Sequence, residues 1–140
     1  MKYSKIVSMS AVFLALTIVP ALQAQELRGS NGSSSGRIDS DGTIRDSSGA
    51  TAGRIDSSGN VRGRSGQTIG RIDSDGTIRN ASGSSVGRID SDGTVRGSSG
   101  QTIGRIDSDG TVRGSSGSTI GSARGVNRSW AAVVFFFFSF

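Results

Sequence analysis

The sequence has no cysteine and no histidine, and only one proline, one tryptophan and one tyrosine in 140 residues. Without cysteine there is no disulfide staple, no thiol nucleophile and no attachment residue for the lipid of a bacterial lipoprotein. Without histidine as well, Ser–His and Cys–His nucleophilic pairs are excluded, and so is a His/Cys zinc site. Lysine occurs only at Lys2 and Lys5, and glutamate only at Glu26. No phosphate-binding loop is present either: the glycine-rich stretches lack a following lysine and a strand-to-helix context.

What the chain has instead is glycine, serine and a period. Twenty-two glycines alone would read as a flexible linker. However, GRIDSDGTVRGSSGQTI, from Gly87 to Ile103, belongs to a seventeen-residue pattern that starts at Gly36, Gly53, Gly70, Gly87 and Gly104. A linker has no reason to keep isoleucine and glycine in phase, so the register argues for folded repeats.

Each unit carries two turn signals, D-S-D-G and then S-S-G, with short β-leaning triplets between them. A three-residue loop closing on glycine suits a hairpin, because its last residue has positive φ. Taking Ser91-Asp92-Gly93 as the loop sets Asp90 opposite Thr94, Ile89 opposite Val95 and Arg88 opposite Arg96. The same reading pairs Ile38 with Ile44, Ile55 with Val61, Ile72 with Ile78, and Ile106 with Val112. One such hairpin is marginal in water, so the units must stack or close on one another to cover their aliphatic faces. Ile103 precedes Ile106 by three positions, which on a regular strand sets the two on opposite faces. Either Gly104 between them marks a bulge or bend that reorients the chain, which is the preferred reading, or both faces of the strand are partly covered.

The ends differ from the repeats. Residues 1–24 read as a secretory signal peptide: Lys2 and Lys5, an apolar core from Ile6 to Val19, and Ala24 as the small residue before cleavage. The apolar run is shorter than the roughly 20 residues of a spanning helix. Removing the two lysines leaves fourteen arginines against eleven acids, so the net charge falls from +5 to +3. Arginine and aspartate alternate in every unit, which predicts a lattice of both signs rather than the clustered basic surface of a nucleic-acid binder.

Leu27 to Gly36 aligns with the second half of a unit, and Gly121 to Arg124 begins another before leaving the pattern. This predicts that the two terminal segments complete one another in a closed ring. The tail, Trp130 to Phe140, holds the only tryptophan and five of the six phenylalanines. Its consecutive apolar positions favour a buried closing strand or plug near the axis, with a partner-binding or membrane-contacting segment as the alternative. A terminal phenylalanine is also a feature of outer-membrane barrel strands, but the repeats are too short for membrane strands of about ten residues.

The GRIDSDGTVRGSSGxTIG repeats, the signal peptide, and the Trp-Ala-Ala ending with its phenylalanine run together resemble the secreted Bacteroidetes family called five-fold β-flower proteins. The resemblance covers essentially the whole mature chain and implies five hairpin petals about a pseudo-fivefold axis, matching the turns at Asp39, Asp56, Asp73, Asp90 and Asp107. It implies no established activity. In the second unit Ser58 replaces the turn aspartate and Asn60 replaces threonine; both still favour a turn.

The expected fold is therefore all-β: a closed pseudo-fivefold arrangement of short hairpins from seventeen-residue repeats, preceded by a signal helix. The organisation is residues 1–24 signal peptide, 25–129 repeat domain with an N-terminal half repeat, and 130–140 aromatic closing strand or plug. The D-S-D-G turns resemble the start of a calcium loop. An EF-hand loop from Asp39 would need a bidentate glutamate at Ala50, so turn chemistry is the better account. No residue qualifies as catalytic, cofactor-binding or metal-binding. The expectation is an exported, non-enzymatic protein, periplasmic, outer-surface or extracellular, without cofactor, without nucleic acid and without a transmembrane span after cleavage. It would serve as a structural or envelope-associated module, or alternatively as a multivalent binder of a glycan or other cell-surface polymer.

Overall fold

In the computed structural model, residues 25–140 are described; the expected signal helix over residues 1–24 lies outside them. Twelve short antiparallel strands form one closed barrel. They are β1 (Glu26–Gly29), β2 (Ser34–Ile38), β3 (Thr43–Asp46), β4 (Thr51–Ile55), β5 (Asn60–Arg62), β6 (Thr68–Ile72), β7 (Thr77–Asn80), β8 (Ser85–Ile89), β9 (Thr94–Gly97), β10 (Thr102–Ile106), β11 (Thr111–Gly114) and β12 (Thr119–Ser122).

The five repeat hairpins are β2–β3, β4–β5, β6–β7, β8–β9 and β10–β11. Their register is the one that the turn chemistry dictates: Ile89 faces Val95 and Arg88 faces Arg96. Ile38 faces Ile44 and Ile106 faces Val112 in the same way. At each D-S-D-G turn the chain reverses on a positive-φ glycine, as at Gly93 with φ 93°. There is a second reason for glycine at this site, since a Cβ on Gly93 would strike the Ile106 carbonyl oxygen of the next hairpin. The close approach holds neighbouring hairpins together, with Ile106 N–H donating to the Gly93 carbonyl at 2.8 Å and Ile55 N–H to Gly42 at 2.9 Å.

The offset between Ile103 and Ile106 is resolved by a bulge. Thr102 pairs with Arg96 and Gly104 with Val95, leaving Ile103 unpaired between them. Both isoleucines therefore join the core cluster, Ile106 fully buried and Ile103 partly so. The same irregularity recurs where β1 meets β2, β3 meets β4, β5 meets β6, β7 meets β8 and β11 meets β12. A bulge strengthens local twist, and six of them around the ring help a sheet of very short strands to close.

The termini complete one another. β1 pairs with β12, Arg28 against Ser122 and Gly29 against Gly121, so the two half units form a sixth hairpin-like pair and leave no open edge. Leu27 and Ala123 supply that pair's buried apolar residues.

Closing twelve strands creates a filling problem. Eight strands make a barrel that side chains can just fill, and the diameter grows with strand number. One isoleucine or valine layer per strand cannot reach the axis, and the tail occupies it. Helix α1 (Arg128–Ala132) begins at the D-S-D-G rim, where Asn127 Oδ1 accepts from Ser129 N at 2.8 Å and the Arg128 guanidinium donates to the Ser91 carbonyl at 3.0 Å. Ala131, Ala132 and Val133 are wholly buried among the strand isoleucines and valines. A π-helical turn (Val133–Phe137) follows, closed by Phe138 N–H on the Val133 carbonyl at 3.0 Å.

The tail is thus a helical plug and not a closing strand. A ring already sealed by β1 and β12 offers no ladder edge, whereas a helix satisfies its own backbone groups in an apolar lumen.

Candidate functional site

Two surfaces repeat around this barrel. On the outer wall, paired arginines would repel, since like charges directly opposite on a sheet are destabilising. On four of the five repeat hairpins the pair is held by the aspartate two residues on. Asp39 accepts from Arg37 Nε at 2.8 Å through one oxygen and from Arg45 Nε at 2.8 Å through the other. Asp73 is clamped by Arg71 and Arg79, Asp90 by Arg88 and Arg96, and Asp107 by Arg105 and Arg113, at 2.7–3.1 Å. The guanidiniums also reach the next turn, where Arg45 donates to the Gly49 carbonyl at 3.1 Å.

The second aspartate of D-S-D-G has a different task. Asp41 accepts from the Thr43 backbone N–H at 3.0 Å, and Asp75, Asp92 and Asp109 do the same for Thr77, Thr94 and Thr111. Hydrogen bonding to that backbone N–H, and next to the threonine hydroxyl, holds these exposed carboxyls below the ordinary aspartate value. In the second unit Ser58 cannot do this, and Asp56 swings into the turn, accepting from Ser58 N at 3.0 Å and Asn60 N at 2.9 Å. The turn survives, with Gly59 at φ 90°, but the clamp does not. Arg62 Nε stands 3.5 Å from Asp56, and Arg54 makes no ion pair among the described residues.

Inside, the phenylalanines are assigned one to a petal. A Cβ on Gly121 would meet the ring of Phe135, on Gly104 that of Phe136, on Gly87 that of Phe137, on Gly70 that of Phe138 and on Gly53 that of Phe140. These glycines open their repeats because each bare Cα seats a ring. Four consecutive residues thus address four consecutive petals. Six hairpins in a ring lie about 60° apart, while an α-helix steps about 100° per residue, so the wider π turn fits the rings to the sockets better.

The sixth socket is different. A Cβ on Gly36 would meet the backbone of Arg45 and Asp46, and no ring is among its nearest neighbours. A half-open cavity of about 440 Å³ lies between the β1–β4 side of the wall and the tail, lined by Leu27, Ile44 and Ala52, by Ser35, Arg45 and Asp46, and by the tail from Val134 to Phe140. A larger hollow of about 870 Å³ lies along the β2–β3 hairpin, lined by Glu26, Gly36, Arg37, Asp39, Arg45 and Asp46 among others.

No catalytic, cofactor or metal residue stands out from the sequence, and among the described residues no three acidic side chains converge. The cavity is a feature that sequence reading passed over, although its signal is visible. The position ahead of the strand glycine is Ile69, Val86, Ile103 and Ile120 in four units, but Ser35 and Ala52 in the two that flank the hollow.

No curated protein and no solved structure matches the chain. A family model described as 5-fold beta-flower protein matches residues 24–139, which take in the ring of strands and the tail up to Ser139, and the chain belongs to that family.

Proposed function

We propose that this is an exported, non-enzymatic module of the cell envelope whose product is the rigid ring itself. The observation that carries this reading is the uniformity of the outer wall. The same Arg–Asp–Arg clamp recurs on four of five repeat hairpins, with its carboxylate consumed by two arginines. Active sites break symmetry and leave a general acid or base with a perturbed, available proton; here the repeated carboxylates are tied into ion pairs or turns. The amino-terminal segment, with Lys2 and Lys5 ahead of an apolar run to Val19 and Ala24 as the small residue before cleavage, supports export. Strands of three to five residues with outward arginine, aspartate and threonine side chains favour a barrel surrounded by water over one surrounded by lipid. The test is fractionation of cells expressing the full chain, with amino-terminal sequencing of the product. The expected result is a chain beginning at Gln25 in the envelope fraction; an uncleaved chain in the cytoplasm overturns the proposal.

A second reading rests on a specific observation. Arg37, Arg71, Arg88 and Arg105, one per hairpin, keep side-chain exposures of 58–61%. Such a circle of equivalent donors suits weak, repeated contact with an anionic glycan or other surface polymer, where avidity multiplies small affinities. Binding to an array of anionic polysaccharides, weakened by salt and by replacing these four arginines with glutamine, would favour this reading over a purely structural one.

A further inference from the structure

The two ends of the barrel differ in what they leave uncovered. Helix α1 begins at the D-S-D-G end, and Ile38, Ile55, Ile89 and Ile106, next to those turns, are buried. At the S-S-G end Ile69, Val86, Ile103 and Ile120, each the second residue of its strand, remain partly exposed. Exposure also rises along the tail: Ala131, Ala132 and Val133 are buried, Val134 to Phe138 and Phe140 are partly exposed, and Ser139 is exposed. The rings of Phe135 to Phe138 sit on Gly121, Gly104, Gly87 and Gly70, each the residue next to one of those four aliphatic side chains. The S-S-G end is therefore an apolar mouth floored by aromatic rings. Contiguous apolar surface inside a polar rim marks a place of contact.

We infer that this mouth rests on an anionic lipid surface, with the S-S-G turns toward the headgroups and the D-S-D-G turns facing away. The inference rests on the envelope reading and deepens it by naming the surface and the orientation. Export is read by fractionation and lipid contact by vesicles, so the two fail separately. Strands of three to five residues are too short to span a bilayer, and the contact is with its surface.

Charge decides the occupant. Nine of the eleven acids stand in or just before the D-S-D-G turns, whereas the six loops at the other end, Ser30-Asn31-Gly32 among them, carry none. Instead a guanidinium donates to the glycine carbonyl of every one of those six loops, from Arg28 on Gly32 at 2.7 Å to Arg62 on Gly66 at 3.3 Å. Arg64 adds an exposed seventh cation in the loop itself, and the two remaining acids are matched, Asp46 by Arg64 at 3.7 Å and Glu26 by Arg28 at 2.6 Å. Arg37 and its equivalents stand on the wall between the ends. An anionic surface thus attracts the S-S-G end and repels the other, while two copies meeting mouth to mouth would oppose their arginines. An apolar centre inside a basic rim is the pattern of proteins that lie at the headgroup boundary. The loops around the mouth are small, as in Ser98-Ser99-Gly100, so little bulk separates the rings from a headgroup layer.

The test uses the chain from Gln25 to Phe140, the whole described barrel, with vesicles of phosphatidylcholine mixed with phosphatidylglycerol and, separately, of phosphatidylcholine alone. Because the sequence has no cysteine, S98C in an S-S-G loop or S74C in a D-S-D-G loop, both exposed positions, carries a single environment-sensitive fluorophore. Saturable co-flotation with the mixed vesicles is expected, weakened by salt and at least about tenfold weaker with the neutral ones. The label at position 98 should shift to the blue on binding, and the label at position 74 should not. V86S/I103S, which gives two petals the residue that the chain itself carries at Ser35, should fold and lose most of the binding. Should that variant fail to fold, the lipid and label comparisons decide by themselves. The inference is overturned by absence of binding, by equal binding to the two kinds of vesicle, by a blue shift at position 74 instead of 98, or by unchanged binding of folded V86S/I103S. A dimer in vesicle-free solution that V86S/I103S dissociates would also overturn it, and would assign the mouth to a second copy.

Discussion

Gly87 lies beneath the ring of Phe137 and beside the Arg96 carbonyl, so a methyl group there collides with both. Gly117 also has positive φ, 87°, but open space around its missing Cβ. The two glycines serve different ends, and alanine substitution separates them. G87A is expected to cost about 1–3 kcal/mol through overpacking, and G117A about 1 kcal/mol through backbone strain alone. In a double-mutant cycle G87A should couple to F137A by at least about 0.5 kcal/mol, since removing the ring removes part of the clash; G117A should add to F137A without coupling. Chemical denaturation reads all four variants. The turn aspartates supply a second prediction at this scale. The backbone N–H groups of Thr43, Thr77, Thr94 and Thr111 lower the folded-state values of Asp41, Asp75, Asp92 and Asp109. A lowered folded value means that the stabilisation is complete above the unfolded carboxyl value, about 4, and is lost as pH falls through the folded value. The melting temperature should therefore be level from neutrality to about pH 5 and decline below about pH 4. Replacing the four aspartates with asparagine, which keeps the turn bond, should flatten that decline.

At the scale of the hairpin, the second unit shows how little the ring asks of any single clamp. Ser58 and Asn60 draw Asp56 into the turn and away from Arg62, yet Ile55 still faces Val61 and both stay buried. Restoring the pattern with S58D/N60T should return Asp56 to its arginines, seen as slowed exchange of the Arg62 Nε proton, while stability rises by no more than about 1 kcal/mol, since exposed ion pairs contribute little. The hairpins were legible in the sequence for a physical reason. Turn glycine fixes loop length, loop length fixes register, and the Ile89–Val95 pair follows. Gly104 between Ile103 and Ile106 likewise announced the bulge. The tail was not legible to the same depth. Val133 to Phe138 is apolar at every position, so it carries no period that distinguishes strand from helix, and its conformation depends on the absence of a free sheet edge elsewhere. Nor could the sequence by itself attach each ring to a petal, because the Phe135–Gly121 and Phe138–Gly70 contacts span the lumen and depend on the π turn. That the petal of Gly36 has no ring of its own was hidden for the opposite reason: Ser35 and Ala52 look like ordinary variation until six petals are seen to share five rings.

For the molecule as a whole, closure and filling are one event. The ring spans twelve strands because the half units at Leu27 and Gly121 meet, and a ring of that size leaves an axis that strand side chains cannot reach. The tail supplies Ala131, Ala132, Val133 and the phenylalanines at that axis, so the apolar faces of all hairpins acquire a common partner only when the last eleven residues enter. Antiparallel hairpins of three to five residues have little stability by themselves, and the wall without its plug has an apolar interior open to water. A chain ending at Ser129 is accordingly expected to lose cooperative melting and to bind a hydrophobic dye, with much of its strand signal retained in far-ultraviolet circular dichroism. Adding a peptide of residues 126–140 should restore a cooperative transition, because the plug touches the wall through side chains and needs no ladder of its own. A truncated chain that melts as sharply as the full one, with no dye binding, would show that the wall is self-sufficient and that the phenylalanines serve another purpose.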